Sequence, residues 1–247
     1  ASAVIHLAVA KELEKHLKIK DRKDYYLGSI APDIAKQIGE EKYKSHFIIN
    51  TPQDIPNLEI FTNKYKKFKK NSFELGYFIH LYTDKLWYEN FMTKLEYNNS
   101  IKLLDGTVMT CSKEQMTSMI YSDYTNVNIQ IIENHNMDLS LFYEEFKRPK
   151  TIITEIPIDK LDILINKMGI IIENSKQERG YTFDIYPVED FIKEATEKLT
   201  KVFYEMSEQL YKNGNPNAGA DANATGASEA NTNNAGNDGN VYDADYK

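Results

Sequence analysis

Three histidines and two aspartates in the first third of the chain have the residue types and spacing of a zinc site: His6, Asp33, His46, His80 and Asp84. His80 and Asp84 are four residues apart, and side chains at that spacing on a helix project from one face about 5–6 Å apart. An imidazole and a carboxylate placed in this way can reach one cation or two adjacent ones. Imidazole with carboxylate suits zinc, and a thiolate-free site with open positions is usually catalytic. The pattern therefore predicts a catalytic zinc site.

Each of these residues also has an ordinary structural interpretation. A histidine on an apolar helix face is more often a core residue with a satisfied hydrogen bond. Asp84 could instead pair with Lys85 or Lys94, which would predict no metal. His16 stands ten residues beyond His6, a rise of about 15 Å along one helix, which is too far to share an ion. His135 follows a helical segment and is expected to be exposed or to cap its C-terminus.

Helices are expected to position most of the site. The predicted helices cover residues 2–17, 60–70, 72–95, 113–134, 158–174 and 188–212. Residues 21–26 are predicted to lead into a Gly-Ser-Ile-Ala-Pro turn. Because Pro32 lacks an amide donor and biases Ala31 toward an extended conformation, Asp33 is expected on a bend or in the first turn of a new helix.

One segment departs from the helical pattern. Asp105-Gly106 stands between two short β-leaning runs within residues 101–110, which is a signal of a β-hairpin. The sequence therefore predicts an all-α fold with a small inserted hairpin.

The composition changes near the C-terminus. Residues 213–247 contain no Leu, Ile, Phe or Met, so they cannot bury enough apolar surface to offset the entropy of ordering. We predict a helical domain over residues 1–212 and a disordered, acidic Asn/Gly/Ala-rich tail over 213–247.

Charge limits the possible partners. The tail has five acidic residues and one lysine, so it carries −4 of the net charge of −7 and leaves −3 on the body. A mildly acidic body argues against general nucleic-acid binding, and no specific nucleic acid is predicted. The lysine-rich run of residues 64–70 is expected to be a solvated helix end, with phosphate binding as the alternative.

Cysteine use and the apolar start of the chain indicate its compartment. Cys111 is the only cysteine, which is compatible with a reducing compartment. Residues 1–10 are apolar but too short for a membrane span, and they run directly into a charged helical segment. We expect no transmembrane segment and a cytoplasmic location. The oligomeric state is not indicated.

Four motifs in this order resemble the bacterial zinc-dependent phospholipase C family, and most of all its intracellular clostridial branch, over about residues 1–190. They are Ile5-His6-Leu7, Gly28-Ser-Ile-Ala-Pro-Asp33, Ser45-His46-Phe47 and Leu75-Gly-Tyr-Phe-Ile-His80-Leu-Tyr-Thr-Asp84. The resemblance implies a helical bundle shared with some single-strand nucleases.

The resemblance also implies roles for the five residues and between one and three zinc ions. His6 would bind one zinc, and Asp33, His46 and His80 a second, with Asp84 bridging between them. Asp33 would also accept a proton from the attacking water.

This chain departs from the secreted relatives at two points. Those proteins have further His and Glu ligands for an additional zinc after the His-x-x-x-Asp motif. Here no histidine except His135 follows Asp84, so that position is either missing or built from Glu89, Asn90 or Asp123. In the relatives the free amino terminus is also a ligand, about a dozen residues before the first histidine, whereas here it stands five residues before His6.

A second resemblance concerns residues 190–247. The segment Glu194 to Tyr211, followed by the Gly/Asn/Ala tail, resembles the C-terminal end of a DnaK-type chaperone. That resemblance implies a natural or artificial fusion, without chaperone cycling.

We therefore predict a zinc-dependent phosphoesterase of the phospholipase C type. Zinc would lower the pKa of a bound water, and the resulting hydroxide would attack a soluble or phospholipid phosphodiester in line and expel an alcohol. The alternative is a catalytically degenerate, metal-stabilised helical protein that serves as a binding module or scaffold.

Overall fold

Helices form most of the computed structural model, which describes residues 1–49, 55–97, 99–143, 147–173 and 180–214. Over these residues the predicted all-α fold is confirmed. The α-helices are α1 Ala3–Glu14, α2 Arg22–Ile30, α3 Ile34–Gln37, α4 Leu58–Lys64, α5 Ser72–Leu86, α6 Lys113–Asn134, α7 Leu161–Glu173 and α8 Ile185–Gly214.

Helix α1 lies in the core. The Ser2 side chain caps its start by accepting a hydrogen bond from the amide of Ile5, and residues Ala3 through Ala10 are all buried. A helix that is apolar on every face must be surrounded by other elements. His6 is therefore carried into the protein interior by the hydrophobic sequence around it.

Helices α2 and α5 cross at two glycines. A Cβ atom added to Gly28 would lie 2.1 Å from the carbonyl oxygen of Phe73, and one added to Gly76 would lie 2.1 Å from that of Tyr25. The two backbones thus touch directly. The predicted turn at residues 28–32 is wrong at its start, because α2 continues through Gly28 to Ile30 and uses the missing side chain for this contact.

The chain then bends at Pro32, as the sequence predicts. Ala31–Asp33 form one 3₁₀ turn, and Asp33 is the residue immediately before α3. Proline is favourable in such a first turn because the missing amide would have no helical partner.

Two predicted helices differ from the observed ones. The helix predicted over residues 60–70 is interrupted at Tyr65, where α4 ends, and a 3₁₀ turn follows at Phe68–Lys70. Tyr65 and Phe68 are both buried, and the interruption lets both rings pack in the aromatic cluster around Phe61. The helix predicted over 72–95 is α5 with a change of pitch, a π turn at Trp87–Phe91 and a 3₁₀ turn at Met92–Lys94.

The predicted hairpin is present and belongs to a three-stranded sheet. Strands β2 Ser100–Lys102 and β3 Val108–Thr110 pair antiparallel around Gly106, with Ile101 opposite Met109. The short strand β1 Glu96–Tyr97 adds a third member.

The last helices complete the described fold. The predicted helix over 158–174 is a 3₁₀ turn at Ile158–Lys160 followed by α7. The chain divides into two units, Ala1–Met206 and Ser207–Lys247. The second is described only to Gly214, where α8 ends, so the predicted tail lies outside the described residues except for Asn213 and Gly214. No described helix is long and apolar enough to cross a membrane.

The helix crossing generates the first testable prediction. Gly28→Ala or Gly76→Ala should each lower the free energy of unfolding by about 3 kcal/mol or more, because the new methyl group meets backbone that has no rotamer to escape into. The melting temperature should fall by at least about 6 °C.

Gly39→Ala is the matched control. Gly39 has φ +76° and open space around its Cβ position, so this change should cost only about 1–2 kcal/mol of backbone strain. A melting temperature for either crossing variant that equals or exceeds that of Gly39→Ala would contradict the assignment.

Candidate metal centre

Four separate elements bring the five sequence-predicted residues together. His6 comes from α1, Asp33 from the 3₁₀ turn before α3, His46 from the loop after it, and His80 with Asp84 from α5. The side chains of His6 and His80 are fully buried, those of His46 and Asp84 are 4% and 8% exposed, and that of Asp33 is 26% exposed. The cluster is therefore interior, and Asp33 lies at its opening.

A backbone carbonyl fixes the orientation of His80. Its Nδ1 atom lies 2.8 Å from the carbonyl oxygen of Ser29. Because a carbonyl oxygen can only accept, Nδ1 carries the proton and donates it. The Nε2 atom therefore presents a lone pair to the cluster, which is the form of imidazole that binds metal.

A serine has the same effect on His46. Its Nδ1 atom lies 2.8 Å from the hydroxyl oxygen of Ser45, and that hydroxyl is 3.2 Å from the carbonyl oxygen of Lys42. Since the serine donates its proton to this carbonyl, its oxygen accepts from the Nδ1–H of His46. The hydroxyl of Tyr77 also holds the turn by donating to the carbonyl oxygen of Ser45.

The two imidazole lone pairs point at each other. The Nε2 atoms of His46 and His80 are 3.2 Å apart. The Oδ2 atom of Asp84 lies 3.5 Å from Nε2 of His46 and 3.6 Å from Nε2 of His80, and Oδ1 of Asp33 lies 3.6 Å from Nε2 of His46. Four electron-rich atoms thus converge in the interior, where they repel one another unless a cation lies among them.

The separations match a tetrahedral zinc site. With zinc–nitrogen and zinc–oxygen bonds of about 2.0–2.2 Å, neighbouring ligand atoms of a tetrahedron are about 3.3–3.6 Å apart. The Nε2 atoms of His46 and His80 and the Oδ2 atom of Asp84 are 3.2 to 3.6 Å apart, which is close to that range. These three donors therefore fit the ion in both chemistry and spacing, and Oδ1 of Asp33 lies 3.6 Å from His46.

His6 adds a second candidate position on the other side of Asp84. Its ring stacks on that of His80 with centroids 3.7 Å apart, and its Nε2 atom lies 3.1 Å from Oδ1 of Asp84. Among the described residues, Nδ1 of His6 has no hydrogen-bond partner, and Nε2 lies beside Asp84 without the alignment of a hydrogen bond. A fully buried imidazole without such partners is unfavourable unless it binds something else.

The amino terminus reaches the same carboxylate. The α-amino nitrogen of Ala1 lies 2.6 Å from Oδ1 of Asp84, although only five residues separate Ala1 from His6. The two oxygens of Asp84 thus face different neighbours. Oδ1 faces His6 and Ala1, and Oδ2 faces His46 and His80.

Electrostatics favour the deprotonated, metal-binding forms. The pKa of His6 is lowered to about 3, chiefly by burial and also by the neighbouring His80, while Asp84 opposes the shift. Burial raises the pKa of Asp84, but the amino terminus and His6 outweigh it and bring the pKa well below the usual range. For Asp33, contact with His46 and the charge of His80 likewise outweigh burial, so its pKa is lowered.

Two overlapping groups within the described residues have ligand atoms close enough for one ion. One comprises His6, Asp33 and His80, and the other His46, His80 and Asp84, with ligand atoms within 4.8 Å in each. The sequence-based hypothesis divided the ligands differently, with His6 apart from Asp33 and His80. In the structure His80 is common to both groups.

The three candidates for a replacement ligand have other partners. Glu89 pairs with Lys85, and Asn90 donates to Glu194 with a distance of 3.1 Å. Asp123 is fully buried and accepts hydrogen bonds from the amides of Tyr181, Thr182 and Phe183 and from the hydroxyl of Thr182. Its role is to fix the segment before α8, and none of the three belongs to either ligand group.

The structure also shows the surroundings of the other histidines and of the lysines that the sequence analysis considered. Lys85 contacts Glu89, while the cationic group that lies against Asp84 is the α-amino group of Ala1. His135 is the C-cap residue of α6, as one of the two predictions has it, and its ring lies between Glu12 and Glu189, at 3.0 and 2.7 Å. His16 is exposed and outside both groups. In the lysine-rich run, Lys64 pairs with Glu155, whereas Lys66 and Lys67 are exposed.

Sequence reasoning did not identify the residues that orient the ligands. Ser29 and Ser45 both occur within the quoted motifs, beside Gly28 and His46, but a serine in a motif gives no sign of what it bonds. Adjacency to a ligand is the only signal that could have indicated Ser45. The carbonyl of Ser29 carries no side-chain signal at all.

The site is thus a buried His/Asp cluster of the zinc-binding type, set in a helical fold. Residues 5–137 match the family model described as zinc-dependent phospholipase C, and this range includes all five cluster residues. The chain belongs to the zinc-dependent phospholipase C family. No solved structure matches it. The chaperone resemblance of residues 190–247 lies outside the matched range and stays a prediction.

The ligand groups generate a direct prediction. Replacing both His80 and Asp84 by alanine should abolish tight zinc binding, because each is a member of the ligand group that also contains His46. Elemental analysis after dialysis measures the zinc content, and circular dichroism checks that the helices remain. His16→Ala is the control. Unchanged zinc stoichiometry in a folded double variant would refute the assignment.

The orientation of His46 can be tested separately. Ser45→Ala removes the acceptor for Nδ1–H but no ligand, so zinc affinity should fall about 10–100-fold while zinc still binds. Competition with a chelator of known affinity measures this change. Wild-type affinity in this variant would show that Ser45 does not orient the imidazole.

Proposed function

We propose that this protein is a zinc-dependent phosphodiester hydrolase. The observation that carries the proposal is the pair of facing Nε2 atoms of His46 and His80, 3.2 Å apart beside two carboxylates. Membership of the phospholipase C family supports the reaction class. The catalytic mechanism and the substrate are parts of the proposal.

Each residue of the cluster has a role in it. His46, His80 and Asp84 would hold one ion, and His6 and Asp33, which form the second group together with His80, would hold another, with the second oxygen of Asp84 facing His6. When bound, zinc supplies an activated water molecule and positive charge that stabilises the phosphoryl oxygens. The chain's own contribution is to fix the ligands and to exclude water from the interior side.

Asp33 is assigned the role of general base. Its side chain is the most exposed of the five at 26%, so it is the cluster carboxylate that a substrate and its attacking water can approach. The lowered pKa keeps it ionised. The leaving group departs as an alcohol.

The substrate class is a phosphodiester. The family description favours a phospholipid. A cytoplasmic location, predicted from the sequence, would limit access to outer-leaflet lipids, so a soluble phosphodiester is equally compatible with the proposal.

One observation favours the alternative of a metal-stabilised scaffold. Glu89, Asn90 and Asp123 all have structural partners, so none of them supplies a further metal position. The zinc count separates the two functions. A single closed zinc without bound water, together with no hydrolysis of a chromogenic phosphodiester, would support the scaffold, whereas two zincs and turnover would support the enzyme.

The general-base role predicts the effect of Asp33→Asn. The side chain keeps its size and one potential ligand oxygen, but an amide cannot take a proton from water. Phosphodiester turnover should fall about 10²–10⁴-fold while zinc content falls much less. Zinc and turnover are measured on the same preparation.

Two outcomes would contradict this role. Full activity with zinc bound would make Asp33 a structural residue after Pro32. Loss of zinc and activity together would make it a ligand without an independent catalytic role.

A further inference from the structure

Two lysines on the segments that carry Asp33 and His46, together with the two tyrosines that they contact, form a group that we call the Lys–Tyr rim: Lys36, Lys42, Tyr88 and Tyr121. Lys36 is in α3, three residues after Asp33, and the carbonyl of Lys42 accepts the amide hydrogen of His46. Tyr88 follows Asp84 by four residues on the continuing helix, so it projects from the same side.

Each lysine of the rim contacts a tyrosine. The Nζ atom of Lys36 lies 3.8 Å from the ring centroid of Tyr121, within the range of cation–π attraction. The Nζ atom of Lys42 lies 4.9 Å from the ring centroid of Tyr88 and donates a hydrogen bond of 3.2 Å to its hydroxyl, so it contacts the hydroxyl edge of the ring.

The rim and the cluster influence one another electrostatically. Burial lowers the pKa of Lys36, the charge of Asp33 opposes this shift, and the charge of Lys42 adds to it. Burial raises the pKa of Tyr88 to about 12, with a further rise from Asp84 and an opposing effect of Lys42. These directions agree with the position of Lys36 three residues after Asp33 and of Tyr88 four residues after Asp84.

Aromatic faces beside a phosphoester site are where a protein captures quaternary ammonium groups. Here Lys36 covers one face of Tyr121, and Lys42 lies against the hydroxyl edge of Tyr88. A trimethylammonium group beside these rings would therefore lie next to two like charges. The same ammonium groups attract phosphoryl oxygens, with which they form charge-assisted hydrogen bonds.

We propose that the Lys–Tyr rim makes the site selective for phosphodiesters whose alcohol portion is uncharged or anionic, and that it rejects those with a cationic alcohol such as choline. This inference rests on the proposed phosphodiester hydrolase function and specifies its substrate class. Lys36 and Lys42 are then specificity residues.

A pair of isosteric substrates tests the selectivity. Zinc-loaded, full-length protein is assayed with two p-nitrophenyl phosphodiesters, one of choline and one of 3,3-dimethylbutanol, which has the same shape without the charge. The wild-type protein should have the higher kcat/KM with the dimethylbutyl ester. A unit charge about 6 Å away alters cation binding on the order of tenfold in a partly exposed site. Lys42→Met should therefore reduce the ratio of the two kcat/KM values, dimethylbutyl ester over choline ester, about tenfold.

Three further variants test whether the change in the kcat/KM ratio is specific to the charge of the rim lysines. Lys42→Arg should retain the wild-type ratio because it keeps the charge, and the double variant Lys36→Met/Lys42→Met should narrow the ratio more than Lys42→Met alone. Lys102→Met, at an exposed lysine of β2, removes the same overall charge and should leave the ratio unchanged. Zinc content is measured for each variant.

Calorimetric binding of phosphocholine and 3,3-dimethylbutyl phosphate supplies a readout that does not need turnover. The wild-type protein should bind the dimethylbutyl compound more tightly, and Lys42→Met should reduce the difference. If neither ester is hydrolysed but this binding preference is present, the hydrolase proposal fails and the rim assignment stands. Equal or tighter binding of phosphocholine by the wild type, or an unchanged ratio in Lys42→Met with zinc retained, would overturn the rim assignment.

Discussion

The structure depends on one constraint, namely that two buried imidazoles direct unprotonated nitrogens at each other across 3.2 Å. Neither nitrogen can donate to the other, because each ring has its proton committed on the opposite side, to Ser29 or to Ser45. Two ionised carboxylates complete the cluster. An arrangement of this kind is unfavourable in a protein interior unless a cation is bound, which supports the proposed zinc site.

The orientation of the lone pairs is a property of the backbone as much as of the side chains. The carbonyl that holds His80 belongs to α2, and α2 lies close enough to α5 only because Gly28 and Gly76 allow direct backbone contact. His46 is oriented by a turn that Tyr77 holds from α5. The motif glycines therefore help to fix the orientation of the cluster residues. Loss of the close crossing would alter the site without touching a ligand.

The site residues could be predicted from the sequence, whereas their supports could not. Residue type and order identified all five cluster members, and Pro32 indicated the bend at Asp33. The hairpin was predictable because Asp105-Gly106 is a local signal. The continuation of α2 through Gly28 was not, because glycine favours a turn locally and only the crossing with α5 explains a helical one. The interruption at Tyr65 likewise depends on tertiary packing of aromatic rings. The partners of Asp123 are about 60 residues away in the sequence, so no local pattern could show that this carboxylate is structural.

The central claim is that a zinc ion lies between His46 and His80. Anomalous diffraction at the zinc absorption edge, from crystals of the zinc-loaded protein, tests it most directly. The account predicts an anomalous peak within about 2.3 Å of both Nε2 atoms, with an oxygen of Asp84 at a similar distance. The absence of a peak between these two imidazoles, in crystals whose protein binds zinc elsewhere, would contradict it.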